Sequence, residues 1–295
     1  MTPYFLKLPM NSTRVLLLLL YAFILQGCDV IENPVVPIGE YRQDLYGPPP
    51  EFELNSAPVQ NVLVEDFTGT SCGYCPPGNI IASDLQEGNP NRIVAVAIHA
   101  GSLALPFGSQ YPDDFRTPEG EFYLLEQVGQ DFLPNGRINR LPDATVVTSP
   151  TNWTNQVNNA LLETAKVNLQ MEANYVQENG HLNVHINQQW FQNATGKYNL
   201  VIMVLESGII SPQLWYNHDP TYVPDYEHNH MLRTTLTGAT GAISIQNPTA
   251  GATKLFSITT DWNAAWNPEN VDIVAFLTEG ENGRVMNVVR QKLSE

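Results

Sequence analysis

The chain has 295 residues, 43% of them hydrophobic, and a formal charge of −16. That length accommodates two ordinary domains, and the hydrophobic fraction is normal for a globular body. So acidic a surface repels nucleic acid and anionic lipid, which argues against nucleic-acid binding and against polybasic membrane docking.

Lys7 and Arg14 are the only basic residues before an apolar run of 11 residues, Val15 to Leu25. A membrane-spanning helix needs about 20. A basic start with a short apolar core therefore reads as an export signal over residues 1–27. The run closes on Leu25-Gln26-Gly27-Cys28, which resembles the lipobox of bacterial lipoproteins. The resemblance implies cleavage before Cys28, acylation of its thiol and of the new amino terminus, and anchorage to a lipid bilayer. Several acyl chains anchor stably where one does not. No later segment is long and apolar enough to cross a membrane.

Residues 28–58 hold Pro34, Pro37 and Pro48-Pro49-Pro50 with little periodicity, the composition of a tether. A buried-strand pattern follows at Val62 to Phe67, then the loop Thr68 to Ser71, then Cys72-Gly73-Tyr74-Cys75 and a predicted helix over 74–86. Ile93 to Ile98 is almost wholly apolar, as in a central parallel strand. Further on, the pattern predicts a helix near 119–128, short strands over 137–139 and 144–147, and a helix from Pro150 to about residue 165. After residue 166 the period changes to two, with strands predicted over 167–175, 182–190, 200–205, 256–262, 271–277 and 285–289. Alternation with turn residues between indicates an antiparallel sandwich.

With Cys28 assigned to lipid, Cys72 and Cys75 are the one remaining cysteine pair, in an exported and oxidising setting. At a helix start the first thiol would meet unpaired backbone N–H groups and the positive end of the dipole. Both favour thiolate and lower its pKa from about 8.5 to roughly 3.5–7.5, and thiolate is the nucleophile of disulfide exchange. The other use of the pair is a static disulfide, though closing so small a loop removes little chain entropy. A zinc site would need two more thiol or imidazole ligands, and no second Cys-x-x-Cys or His-rich loop lies nearby.

The strand–dithiol–helix order resembles the thioredoxin superfamily. Asp66-Phe67 before the cysteines and Pro134 in Phe132-Leu133-Pro134-Asn135 carry the likeness. It implies that Cys72 attacks, Cys75 resolves, Asp66 accepts a proton near the inner thiol, and Pro134 is a cis-proline shaping the substrate groove. Glu65 could substitute for Asp66, since alternation along a strand points only one of the two inward. Ser71 and Pro76-Pro77 depart from the family pattern. Gly73-Tyr74 matches the dipeptide of periplasmic disulfide isomerases. His99, at a strand end, is a candidate to lie on the rim beside Cys72.

A wider set of stretches, Val64 to Gly69, Ala97 to Gly101, Asn135 to Arg140 and Tyr226 to Arg233, together resembles the Omp28-related outer-membrane lipoproteins of the Bacteroidetes. That implies α/β plus all-β architecture: a thioredoxin-like domain (residues 59–165) and an immunoglobulin-like antiparallel β-sandwich (166–295). It also implies an outer-membrane location, on the periplasmic face or the cell surface. No metal is assigned; His228 and His230, which alternate onto one face if extended, are named as candidates only. No cofactor is called for. The leading expectation is thiol–disulfide exchange on exported protein thiols or disulfides. The alternative is a non-catalytic surface binding or adhesion lipoprotein whose Cys-x-x-Cys is a structural disulfide. Cysteine exposure discriminates: catalysis requires the Cys72 sulfur to be reachable beside a groove.

Overall fold

A computed structural model describes residues 39–280 and 283–293. The expected signal, and Cys28 as the expected site of lipidation, lie outside those residues. Strands β1 (Val62–Thr68) and β2 (Ile93–His99) are buried along their whole lengths, as apolar runs covered on both faces must be. They pair in parallel from Val62↔Ile93 to Thr68↔His99. The crossover between them is helix α1 (Pro76–Gly88). It starts two residues later than the pattern suggests, because Pro76 suits a first helical position, where no N–H is needed. β3 (Asn135–Ile138) lies antiparallel on the other side of β1, with Asn135 opposite Phe67.

Alternation along β1 divides its apolar side chains between two cores. Leu63 and Phe67 join Tyr123, Val201, Met203 and Phe276. Val62 and Val64 pack with Ala82 and with Trp153 and Val157 of helix α3 (Trp153–Ala160). Helix α2 (Pro118–Glu121) continues into a π-helical segment, Phe122–Val128. The strand expected over 144–147 does not form. Beyond β3 the chain makes one isolated bridge, Gly136↔Thr148, and no neighbour supplies the ladder that an extended segment there would need.

The period-two half forms β4 (Val167–Val176), β5 (His181–Trp190), β6 (Lys197–Glu206), β11 (Thr253–Asp261), β12 (Val271–Glu279) and β13 (Val285–Lys292). Between them lie the hairpin β7 (Ile209–Leu214) and β8 (Tyr222–His228), followed by β9 (Met231–Thr235) and β10 (Ala242–Gln246). One mixed sheet runs β13-β12-β6-β9-β2-β1-β3, with β10 also on β6, so it draws strands from both sides of residue 165. β9 joins it to β2 through Ala97↔Met231. A three-stranded sheet, β11-β5-β4, packs against it over Val184, Ile186, Trp190, Ile202 and Ile273. Residues 41–59 run along that sheet. Tyr46 meets His181 at 2.6 Å, Gln189 bonds Asn55 at 2.8 Å, and Asn168 bonds Val59 at 2.8 Å. Among the described residues no helix is long and apolar enough to cross a membrane.

Candidate functional site

Cys72 and Cys75 are bonded to each other, with Cα atoms 5.4 Å apart. Cys75 is the N-cap of α1, yet the helix start offers a sulfur little. Pro76 and Pro77 carry no N–H, and the next two donors, Gly78 N and Asn79 N, both bond the Cys75 carbonyl, at 2.8 and 3.1 Å. The unpaired donors expected beside the dithiol are therefore missing, and the prolines that remove them are visible in the sequence.

Both cysteines are covered: Cys72 is 2% exposed and Cys75 0%. The cover is the β7–β8 hairpin. The Gln213 side-chain amide donates to the carbonyls of Gly69 and Cys72 at 3.2 and 3.1 Å. Leu214 N bonds Thr70 O at 2.9 Å and Tyr216 N bonds Gly73 O at 2.7 Å, so the hairpin clasps the dithiol loop on both sides. The Tyr216 ring lies where a Cβ on residue 73 would sit, 2.5 Å away, which is why glycine occupies that position. Tyr74 stands edge-on against the same ring at 4.9 Å. The reachable Cys72 sulfur that exchange requires is not present in this arrangement.

Strand alternation gives the two acids ahead of the dithiol opposite fates, and both are buried because both faces of β1 are covered. Glu65 faces Arg137 at 2.9 Å and Arg140 at 2.8 Å, all three side chains fully buried. Burial pushes the Glu65 carboxyl up, but the two guanidiniums overcome that and hold it below the usual range. Arg140 also stacks over Tyr123 and Phe276, at 4.8 and 5.0 Å. Two of the sequence stretches singled out above thus meet each other here, a pairing that neither shows alone. Asp66 points the other way, toward α1, where Asn79 donates to its Oδ2 at 2.8 Å. Its Oδ1 is buried without a partner among the described residues, and burial raises its pKa well above the ordinary carboxylate value. The Leu133–Pro134 bond is cis, and the β1–β3 register sets Pro134 just beyond the Phe67↔Asn135 pair, at the dithiol end of β1.

Asp66 also lines a cavity of about 720 Å³ between α1, β2 and the hairpin, which neither cysteine reaches. His99 faces this cavity rather than the dithiol, packed against His228 at 5.3 Å and Phe115 at 5.4 Å. His228 and His230 do not share a strand face: β8 ends at His228 and the chain turns through His230 at φ 55°. The described residues contain no cluster of three metal-ligating side chains. The hairpin residues Gln213 and Tyr216, and the His99–His228 contact, escaped sequence reasoning because each depends on pairings across more than 100 residues.

The model of the family described as Outer membrane protein Omp28 matches residues 124–295, more than half of the chain. This chain belongs to the Omp28 family. The match takes in Pro134, Arg137, Arg140 and the β7–β8 hairpin but begins after the dithiol and Asp66. No curated protein matches the chain. Among solved structures, this Omp28-family chain resembles HBP35 of Porphyromonas gingivalis at 17% identity, over 82% of this chain and 77% of that one, with TM-score 0.62. A structure of an Agrobacterium tumefaciens protein matches at 12% identity, over 80% and 96%, with TM-score 0.50. At such identities these likenesses show a shared fold alone. A domain of the outer membrane lipoprotein Omp28 from Porphyromonas gingivalis matches at 21% identity, over 44% and 88%, with TM-score 0.30, too low to support a structural argument.

Proposed function

We propose that this Omp28-family chain is a lipid-anchored outer-membrane binding protein, held through Cys28 on the periplasmic or outer face, in which the Cys72–Cys75 bridge braces the fold instead of turning over. The observation that carries this reading is the burial of both cysteines beneath a hairpin hydrogen-bonded to the loop that bears them. Exchange requires a thiolate to approach one sulfur of the bridge; both cysteines are buried, and Gln213, Leu214 and Tyr216 hold the hairpin against the loop that bears them. The helix start supports the same reading, since its first donors are absent or used. In this view the segment 59–165 is a thioredoxin-like scaffold joined edge to edge with an immunoglobulin-like sandwich. The parallel β1–β2 pair, the antiparallel β3 and the second sheet packed behind support that description. The test is insulin reduction and refolding of reduced ribonuclease by the wild type and Cys72→Ser. Equal, background-level behaviour of the two is expected; turnover by the wild type alone would overturn the reading.

A specific observation favours a second reading, exchange with exported protein thiols or disulfides once the hairpin lifts. Asp66 lies buried in β1, six residues ahead of Cys72, with a pKa raised by burial and an oxygen unpartnered among the described residues, the state of a group able to take and return a proton. There Cys72 attacks, Cys75 resolves and Pro134 borders the groove. Hairpin variants that raise turnover in the same assays would establish it.

A further inference from the structure

Small side chains create the cavity that Asp66 lines. Ala82 and Ser83 on α1 face Ala95 and Ala97 on β2, and the space they leave is closed by β8. Its volume of about 720 Å³ falls in the usual range of small-molecule sites, roughly 300–1,000 Å³. Four buried polar atoms on its lining residues have no partner among the described residues: Asp66 Oδ1, both ring nitrogens of His99, and His228 Nε2. Their residues are 1%, 3% and 5% exposed. Native interiors rarely leave such atoms unpaired, and here several share one space.

Their chemistry is mainly that of acceptors. The His228 ring bonds the backbone of Ser211 in the sense that raises its pKa, as a donor does. Nε2 is then left as a bare lone pair. His99 in its neutral form presents one further lone pair beside one N–H, and Asp66 Oδ1 presents another lone pair once its carboxyl, whose pKa burial raises, is ionised by the arriving cation. Burial keeps both imidazoles unprotonated, pushing His228 down to about 4 and His99 well below its usual value. Tyr226 stands edge-on to His228 at 4.8 Å and Trp215 edge-on to Tyr226 at 6.3 Å, a run of aromatic surface along one wall. Around the opening, Asp84, Glu87 and Glu227 outweigh Lys292 and Arg290, the latter already paired with Asp272 at 2.9 Å. Buried acceptors, aromatic surface and net negative charge among the lining residues select against anions and favour a cation rich in N–H donors.

We propose that this cavity binds a primary ammonium or guanidinium group through Asp66, His99 and His228, either on a free amine or on a Lys or Arg side chain of a polypeptide. The inference rests on the binding reading above and supplies its ligand class. It does not use the disulfide, so amine binding and redox silence are read by separate assays.

The experiment is calorimetric titration of the folded chain with butylamine and agmatine as free amines, and with the blocked tripeptides acetyl-Gly-Lys-Gly-amide and acetyl-Gly-Arg-Gly-amide. Succinate and Zn²⁺ are the comparison ligands. Saturable binding of the cations is expected, weakened at least tenfold in Asp66→Asn and in Ser83→Phe, which fills the cavity from the helix surface. The His99 and His228 ring resonances should shift on titration of the wild type, a readout that needs no variant. Tighter binding of the tripeptides than of the free amines assigns the site to a polypeptide, and the reverse to a free amine. Binding of succinate as tight as that of the amines, binding of Zn²⁺ alone, or no saturation at millimolar concentration would each overturn the proposal.

Discussion

Glu65→Gln is the perturbation whose consequence follows most directly from the structure. One carboxylate serves two guanidiniums, accepting from Arg137 at 2.9 Å and from Arg140 at 2.8 and 3.1 Å. All three side chains are at 0% exposure, so no water takes over when the charge goes. Two charges about 4 Å apart attract by about 4 kcal/mol at an effective dielectric of about 20. Breaking buried pairs by removing one partner costs about 3–5 kcal/mol. The amide keeps the shape and one acceptor but leaves two cations in the core, so about 4 kcal/mol is a reasonable loss. For a body of this size that lowers Tm by roughly 8–16 °C. The exposed pair Glu163–Arg284, at 3.1 Å, is the control, since such surface pairs contribute under about 1 kcal/mol. Thermal melts of Glu65→Gln, Glu163→Gln and the wild type decide the matter. A Glu65→Gln melt within about 3 °C of wild type would refute the buried-triad reasoning. The triple replacement Glu65→Leu, Arg137→Met, Arg140→Met should recover part of the loss, because it leaves no unpaired charge.

Asp66→Asn should raise stability at neutral pH, because the amide carries no charge for burial to penalise. The folded-state pKa of Asp66 is raised, so its protonated form is favoured on folding. Wild-type stability is therefore unaffected by this group below the ordinary carboxylate range and falls as pH rises toward the elevated folded value. Denaturation midpoints at pH 3 and pH 7.5 should show the variant's advantage only at the higher pH; an equal gain at both would contradict the assignment. Gln213→Ala removes two bonds clasping the dithiol loop, about 2 kcal/mol in all, and should speed reduction of the native bridge about tenfold to thirtyfold, followed by thiol trapping and mass spectrometry. Gly73→Ala forces the Tyr216 ring away from the loop and should have the same direction of effect.

The parts of the fold legible in the sequence are those whose signal is local. The apolar runs of β1, β2 and β6 and the alternation of β4 and β5 announced themselves, because a strand covered on both faces is apolar throughout and one covered on a single face has period two. The β7–β8 hairpin did not. Pro212 sits in β7 at a register shift and Pro224 interrupts β8, and proline in a strand is tolerated only at edges and bulges. A two-stranded edge element of this kind has no alternating pattern to read. Ala144, Val146 and Val147 did suggest a strand, but pattern without a neighbour makes none. Cys72, Cys75 and Asp66 could be named from spacing. Whether the sulfurs were open could not, since the answer lies with Gln213 and Tyr216, more than 130 residues away in the chain. The His99–His228 contact was hidden for the same reason, and His230 drew attention only because it is near His228 in sequence.

The most direct measurement is the rate at which a small dithiol reductant opens Cys72–Cys75 in the native chain, set beside the same bridge in denaturant. A sealed bridge predicts native reduction slower by orders of magnitude and limited by hairpin opening. It should therefore become independent of reductant concentration at high concentration. Native reduction as fast as that of the unfolded chain, and linear in reductant throughout, would show the sulfurs open to solution and return the molecule to the class of working oxidoreductases.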